Sequence, residues 1–542
     1  MSIKSKIKKT IKSVPGAYRL AKAVGLVRDY HAEFLADCRR VYDRYLAEHA
    51  AKEPTGYVIL MDINHRITTG LMVPVSLALL KRGYAVCSVI KGRMNENVWP
   101  ELDGISGAIA HGGWAVDGTV AINHLVKQWT IDWDAGIVSC DGVNYFPFFL
   151  ERLSKLSKSY RGSLTTKAEI SLFNAMLRQS DAVLAVCDRI IKLAEKGRPI
   201  RLVAMDSHFA PWGVIRRWCD AVGKAHDINF IALSSGYENY YSNLSTMEAT
   251  TLAVENLTAN PDLRHPFLGG QKRFEEFIAK HPETLEGKAT ALGWIKVNRS
   301  RVTSDDPART EVQQKVQEAR MAGRPVFAAF GKVLIDFAAP DDCGNVYPDF
   351  PTWMNGLVDL ASESQSLLII KPHPHEIRPE IVNDGVQVLR DLLPHDLPEN
   401  VIFLNHNSFN SYELAGMVDA SFVWNGTICC EFPVVNCPVV PESIWAARDY
   451  PLGLPTMRSE PEYRDLFSGR SKVTLDESVE DRAAAFLHFL KSEDVMIPFR
   501  YLRRAGTNQT IGKNWLYHSA LRKLEKEGDP AIDRVVSRFF IS

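Results

Sequence analysis

The stretch Leu367–Arg378, LLIIKPHPHEIR, constrains the fold more than any other in the chain. An apolar run leads to Lys371 and then to Pro372-His373-Pro374-His375-Glu376. Such a run, with no polar alternation, predicts a parallel strand buried on both faces. Proline lacks the N–H that a ladder needs, so Pro372 and Pro374 end the strand and stiffen its exit. Lys371 and His373 are thereby expected at the carboxyl end of a strand, where open α/β sheets bind ligands. A cation beside an imidazole suits a phosphate or diphosphate there. The alternative is a strand-ending turn with incidental polar residues.

A second segment, Met417–Val440 (MVDASFVWNGTICCEFPVVNCPVV), supports the first. Ala420–Trp424 predicts another short buried strand, Asn425-Gly426-Thr427 a turn, and Thr427 a cap for a helix after it. Glu431 would share one helix face with Thr427. N–H groups at a helix start bind phosphate, and a carboxylate one turn in can accept from ribose hydroxyls. With Cys437-Pro438-Val439-Val440 opening a further strand, the segment reads as one βαβ unit. An ordinary threonine-capped connection is the alternative.

Taken together, these residues resemble the carboxyl-terminal half of GT-B glycosyltransferases, in particular the bacterial capsule and surface polysaccharide families. Those families, like the bacterial sialyl- and Kdo-transferases, carry a His-Pro motif on the donor nucleotide phosphate and a later Ser/Thr turn beside it. His373-Pro374 matches the first and Asn425-Gly426-Thr427 the second, and Asn410–Ala415 (NSYELA) is similar to the stretch before that turn. The specific resemblance spans about Pro325 to Tyr450, and over the N-terminal half it is architectural. His375 and Glu376 are additions to the motif, and Cys429-Cys430 stand where small residues are usual. The resemblance implies an α/β fold of GT-B type: two Rossmann-like doubly wound domains facing a central cleft, with helices at both ends of the chain. It implies a nucleotide-sugar donor, such as a CMP- or UDP-linked sugar, with no separate cofactor and no metal.

At 542 residues the chain is too long for one core, so two or three domains are expected. A hydrophobic content of 46% and a charged content of 24% are those of an ordinary globular protein. Lys+Arg and Asp+Glu both number 64, so no global charge points to nucleic acid. The nine cysteines lack paired metal spacing, and Cys87, Cys140 and Cys187 sit in apolar runs, as buried small residues in a reducing cytoplasm would. No apolar run reaches the length of a membrane span, and no secretory segment comes after the basic start.

That start is distinctive. Lys4, Lys6, Lys8, Lys9, Lys12, Arg19, Lys22 and Arg28 precede the first acid, Asp29. Ile3, Ile7, Ile11, Val14 and Tyr18 recur at helical spacing among them. A basic amphipathic helix, interrupted near Pro15-Gly16, is expected over residues 1–28. It would dock on an anionic membrane surface, at the inner face of the cytoplasmic membrane, or else pack on the protein's own body.

Residues 1–53 are read as N-terminal helices and 54–305 as a Rossmann-like acceptor domain. Residues 306–480 are read as the donor domain, and 481–542 as helices that, as the resemblance implies, cross back to the first domain. In the first domain, strands are predicted at Tyr57–Met61, Ala85–Ile90, Ala135–Ser139, Ala182–Val186, Ile200–Met205 and Ile228–Leu233, with a helix at Leu71–Arg82. The polar segment 306–325 is the candidate linker. Strands of the second domain are predicted at Val326–Phe330, Leu367–Ile370, Val401–Leu404 and Ala420–Trp424.

Phe330-Gly331-Lys332 closes the first of these, so Lys332 is expected in the same crevice as Lys371 and His373. The donor set is therefore Lys332, Lys371, His373, Glu376, Asn425, Gly426, Thr427 and Glu431. Asp336, Asp341, Asp342 and Asp349 lack the spacing of a metal loop and are expected in a solvated or acceptor-facing loop. On the acceptor side, His65 has a suitable ordinary pKa to deprotonate a sugar hydroxyl, with Asp62 to orient it. Asp206 and His208 form a second acid–histidine pair after a strand. Tyr237, Glu238, Asn239 and Tyr240 could stack on and hydrogen-bond to a sugar acceptor, or simply pack between domains.

The expected function is transfer of a sugar from a nucleotide donor to a capsular or other surface glycan, lipid-linked or exported. Other polysaccharide assembly proteins are possible partners, and nucleic acid is not. The rival readings are a polyol-phosphate transferase, a GT-B-like nucleotide-sugar epimerase and a non-catalytic glycan-binding scaffold.

Overall fold

A computed structural model describes residues 30–61, 66–94, 98–109, 125–205, 207–235, 250–264, 268, 270–299, 308–335, 341–377, 386–406, 408–505 and 513–540. The N-terminal segment 1–28, Asp62, His65, Asp206, Tyr237, Glu238, Asn239 and Tyr240 lie outside the described residues.

Strands β1 (Gly56–Leu60) and β2 (Tyr84–Ser88) open a first sheet. The chain leaves it for a three-stranded meander of β3 (Trp129–Asp132), β4 (Ile137–Cys140) and β5 (Val143–Asn144). It returns as β6 (Ile200–Ala204), β7 (Ile228–Ser235) and β8 (Thr250–Asn256). A second sheet holds β9 (Val326–Phe330), β10 (Leu367–Lys371), β11 (Val401–Phe403), β12 (Ala420–Val423) and β13 (Val439–Pro441). β14 (Ile497–Phe499) then rejoins the first sheet, antiparallel to β8. The sheet orders are β14-β8-β7-β6-β1-β2 and β11-β10-β9-β12-β13. This is the two-sheet GT-B arrangement that the motifs imply.

The unbroken apolar strands have a direct cause. Along β9, Val326, Ala328 and Phe330 enter one core, shared with helices Gly270–Lys280, Lys288–Arg299 and Glu477–Lys491. Phe327 and Ala329 enter another, shared with helices Phe350–Ser364 and Glu460–Phe467. Both faces are covered, so neither can be polar.

Two expected strands are not strands of the first sheet. Ala182–Val186 lies inside a long helix, Lys167–Ala194. Phe173, Met176, Leu177, Ser180, Val183, Leu184, Cys187 and Ile190 are buried at helical spacing, and Thr166 with Glu169 closes a capping box at its start. Ala135–Ser139 falls on β4, which pairs antiparallel with β3 and β5. Positive φ at Gly136 (69°) and at Asp141-Gly142 (50° and 79°) folds tight turns that a parallel strand would not have.

The segment 306–325 is no linker. Helix Ala308–Met321 buries Val312, Val316 and Ala319, one face, in the second core. The helices Gly270–Lys280 and Lys288–Arg299, expected in the first domain, also pack there, with Phe274 and Phe277 on Phe486 and Phe489. The change of core falls instead between Leu263 and Leu268. The chain recrosses between Val495 and Ile497, and helices His518–Glu527 and Pro530–Phe539 pack on the first core.

A candidate donor crevice at the strand ends

In each sheet the chain departs in opposite directions from two neighbouring strands. These are β1 and β6 in the first sheet and β9 and β12 in the second. Ligands of open α/β sheets bind at such switch points, beyond the carboxyl ends of the strands. Register makes the second one well defined. Phe330 of β9 pairs with Lys371 of β10 and with Val423 of β12, so three strands end level. Two residues beyond each stand Lys332, His373 and Asn425. The structure thus brings three parts of the expected donor set to one edge.

Lys371 is 4% exposed, and its Nζ donates to the carbonyl of His406 at 3.2 Å. Burial alone pushes its ammonium down to about 8. His373 Nδ1 accepts the N–H of His375 at 3.1 Å, which puts the proton of the neutral ring on Nε2. Glu376 has a different role from the one expected. One carboxylate oxygen accepts the N–H of Leu389 at 3.0 Å and the other lies 3.0 Å from His406 Nε2. Glu376 therefore ties down the two loops that flank Lys371.

Lys332 also departs from expectation. Its Nζ lies 3.5 Å from Asp342 and within 6 Å of the ring centres of Tyr160, Phe350 and Trp424, at 5.8, 5.4 and 5.9 Å. Burial draws its pKa down and Asp342 opposes that shift. Asp342 is only 3% exposed and accepts from Trp424 Nε1 at 2.9 Å and from the Ser443 hydroxyl. Lys332 and Asp342 form a neutralised pair beneath the crevice, so Asp342 does not belong to a solvated loop. Asp349 is likewise engaged. It caps helix Phe350–Ser364 and pairs with Arg161 at 3.3 Å.

At the end of β12, Asn425 Nδ2 donates to Asp449 at 2.7 Å. Gly426 has φ +152°, a backbone that side-chain-bearing residues rarely adopt. Thr427 does not cap as expected: its backbone is already helical (φ −61°, ψ −21°) and its side chain makes no capping hydrogen bond. Glu431 accepts from the Tyr412 hydroxyl at 2.7 Å. Tyr412 sits in helix Ser411–Ala415, which Asn410 and Glu413 close with a capping box. The NSYELA stretch is in this way fastened to the helix after the turn.

From the first domain, His208 is buried just past β6, beside that sheet's switch point. Its neighbour Ser207 donates to the carbonyl of Arg264 at 3.1 Å. Arg216 fixes the same loop through the carbonyls of Pro261 and Leu263, at 3.0 and 2.7 Å. Arg264, 4% exposed, lays its guanidinium 4.2 Å over the ring of Trp445 in the second domain. A second bridge runs from the backbone at 158–160. Gln387 N–H donates to Lys158 O and Tyr160 N–H to Gln387 Oε1, both at 3.0 Å. Sequence reasoning missed Arg264, Gln387, Trp445 and Asp449 as site residues. None sits in a patterned motif, and each matters only through a distant partner.

The sequence matches no protein-family model and no curated protein. Among solved structures it is similar to the β-Kdo 2,7-transferase of Thermosulfurimonas dismutans KpsC, with 13% identity over 70% of this chain and 96% of that one, at a TM-score of 0.26. It is similar to the β-Kdo 2,4-transferase of the same KpsC, with 13% identity over 61% and 88%, at a TM-score of 0.31. A third is S. aureus MnaA in its UDP co-structure, with 10% identity over 79% and 91%, at a TM-score of 0.22. The GT-B architecture itself is carried by the two sheet orders and their level strand ends.

Lys371 offers a direct test of this geometry. Its folded-state pKa, about 8, lies below the ordinary lysine value. The unfolded chain therefore holds the extra proton between about pH 8 and pH 10.4, and stability from this group rises across that window. Lys371→Met should raise the unfolding free energy at pH 7 by about 3 kcal/mol and abolish the rise toward pH 10. Urea titrations at pH 7 and 9.5 measure both. A variant no more stable than wild type at pH 7 would show that the ammonium is not desolvated.

Proposed function

We propose that this protein is a GT-B glycosyltransferase that moves a sugar from a nucleotide donor to a capsular or other surface-glycan acceptor. The observation that carries the reading is Lys371. It is a buried ammonium with one carbonyl acceptor among the described residues, at the carboxyl end of a parallel strand and level with a switch point. Among the described residues it has no carboxylate partner, and a donor phosphate is a ligand that would supply the counter-charge. His373 adds an N–H donor two residues on. As the bond to the sugar breaks, negative charge grows on the leaving phosphate, and these two groups stabilise it without reorganising. Lys332, paired with Asp342, supports the crevice from below rather than binding phosphate.

The acceptor hydroxyl needs a base. That role falls to His208, buried just past β6 beside the first sheet's switch point, with Asp206, or to His65 with Asp62, which follow β1 in the sequence. A thermal-shift screen against CMP, CDP, UDP and GDP identifies the nucleotide. His373→Ala should then lose about 2–3 kcal/mol of transition-state stabilisation, read as kcat/KM. Turnover at the wild-type rate in that variant would refute the donor role of His373.

The base is tested separately. His65→Ala and His208→Ala should both retain nucleotide binding, and one of them should lose turnover. Activity in both would put the base elsewhere, with Glu238 the next candidate.

The basic segment 1–28 docks the enzyme on anionic lipid, each lysine near the surface contributing on the order of 1 kcal/mol. Among the described residues no helix is long and apolar enough to cross a membrane. Deleting residues 1–28 should abolish sedimentation with anionic liposomes while activity on a soluble acceptor survives. Liposome binding that ignores salt or the deletion would instead mean that this segment packs on the protein.

A further inference from the structure

The Asn425 side chain, at the second sheet's switch point, has one end fixed and the other without a described partner. Nδ2 donates to Asp449, whereas Oδ1 is buried with no hydrogen-bond partner among the described residues. An ionised carboxylate can only accept, so Asp449 dictates which end of the amide faces it. The orphaned oxygen costs on the order of 1–3 kcal/mol until a donor reaches it.

Building on the donor-site reading above, we propose that Asp449 is a positioning residue that clamps the Asn425 amide. Clamped in this way, Oδ1 accepts from a hydroxyl or N–H of the bound nucleotide donor. Protonation of Asp449 reverses the clamp. A neutral carboxyl has an O–H to give beside its remaining acceptor oxygen, so it no longer fixes the amide and can hold it turned over, with Oδ1 on the O–H and the NH₂ away from Asp449.

The groups around Asp449 set the balance. Burial pushes its carboxyl up to about 6. Arg264, reaching in from the first domain, acts against that, as do Asn425 and Arg448, while Asp342 adds to it. Arg264 and Arg448 both lie over the ring of Trp445, at 4.2 and 5.5 Å, so a single residue gathers the two cations beside Asp449. Above about pH 6 the carboxylate holds Nδ2 and the acceptor is presented; as pH falls through 6 the acceptor is withdrawn.

The test uses the full chain and whichever of CMP, CDP, UDP and GDP gives the largest thermal shift. Its Kd is measured by calorimetry from pH 5 to 8 in wild type, Asp449→Asn, Asn425→Ala and the double variant. Wild-type affinity should fall about tenfold between pH 7.5 and 5 relative to Asp449→Asn, which lacks the titrating group. At pH 7.5 each single variant should bind about tenfold more weakly than wild type, and the double variant no more weakly than Asn425→Ala. The 2′-deoxy analogue tells the two ligand sources apart. It is insensitive to Asp449→Asn if a ribose hydroxyl is the partner and as sensitive as the parent nucleotide if the base is.

Equal pH profiles in wild type and Asp449→Asn, or additive losses in the double variant, overturn the proposal. Should none of the four nucleotides bind, the donor-site reading fails. The clamp is then decided by the same four proteins without ligand. Thermal unfolding at pH 7.5 should show non-additive effects of the two substitutions, and additive effects would end the proposal.

Discussion

Phe330 lies opposite both Lys371 and Val423, and the chemistry of the second domain hangs on that alignment. Because β9, β10 and β12 stop at one level, residues about 40 and 90 positions apart in sequence arrive at a common edge. A slip of one residue in either pairing would turn every side chain of that strand to the opposite face. Two different cores hold the register, one on each face of β9. The crevice is therefore as rigid as the sheet beneath it, and its polar groups can be held without solvent to support them.

That rigidity lets the crevice keep charges which are costly elsewhere. Lys371 is buried with a carbonyl as its described partner, Lys332 is neutralised by Asp342 among aromatic rings, and Asp449 is raised by burial. Three ionisable groups with shifted proton affinities at one strand edge are a pattern of functional sites more than of structural ones. Burial of the Lys371 ammonium gives up stability, as binding sites commonly do.

The first domain takes part through contacts that no local pattern announces. Arg216 shapes the loop that carries Arg264, and Arg264 covers Trp445. Gln387 seizes the backbone at 158 and 160 through two hydrogen bonds. The Arg264–Trp445 bridge stands at one of the two points where the chain crosses between cores, near 263–268, and the Gln387 bridge joins residues remote in sequence from both crossings.

The sequence by itself determined the parallel strands. Runs such as LLIIK and VFAAF carry no polar alternation, and only a sheet covered on both faces needs that. It determined the strand-end stops, through Pro372 and Pro374, and with them the location of Lys371 and His373. It misled at Ala182–Val186, where β-branched and small apolar residues suited a strand but the wider spacing, read from the Thr166 cap onward, was helical. It also misled at 306–325, where a narrow apolar stripe of Val312, Val316 and Ala319 was masked by charge. Only the tertiary structure decided which polar groups face one another. The lysine at 332 meets Asp342, Glu376 ties loops together, and Asp449 reaches Asn425 from 24 residues away under the influence of Arg264. Hydrophobic periodicity is local and survives in one dimension, whereas a charge's partner and its proton affinity depend on distances across the fold that no spacing along the chain records.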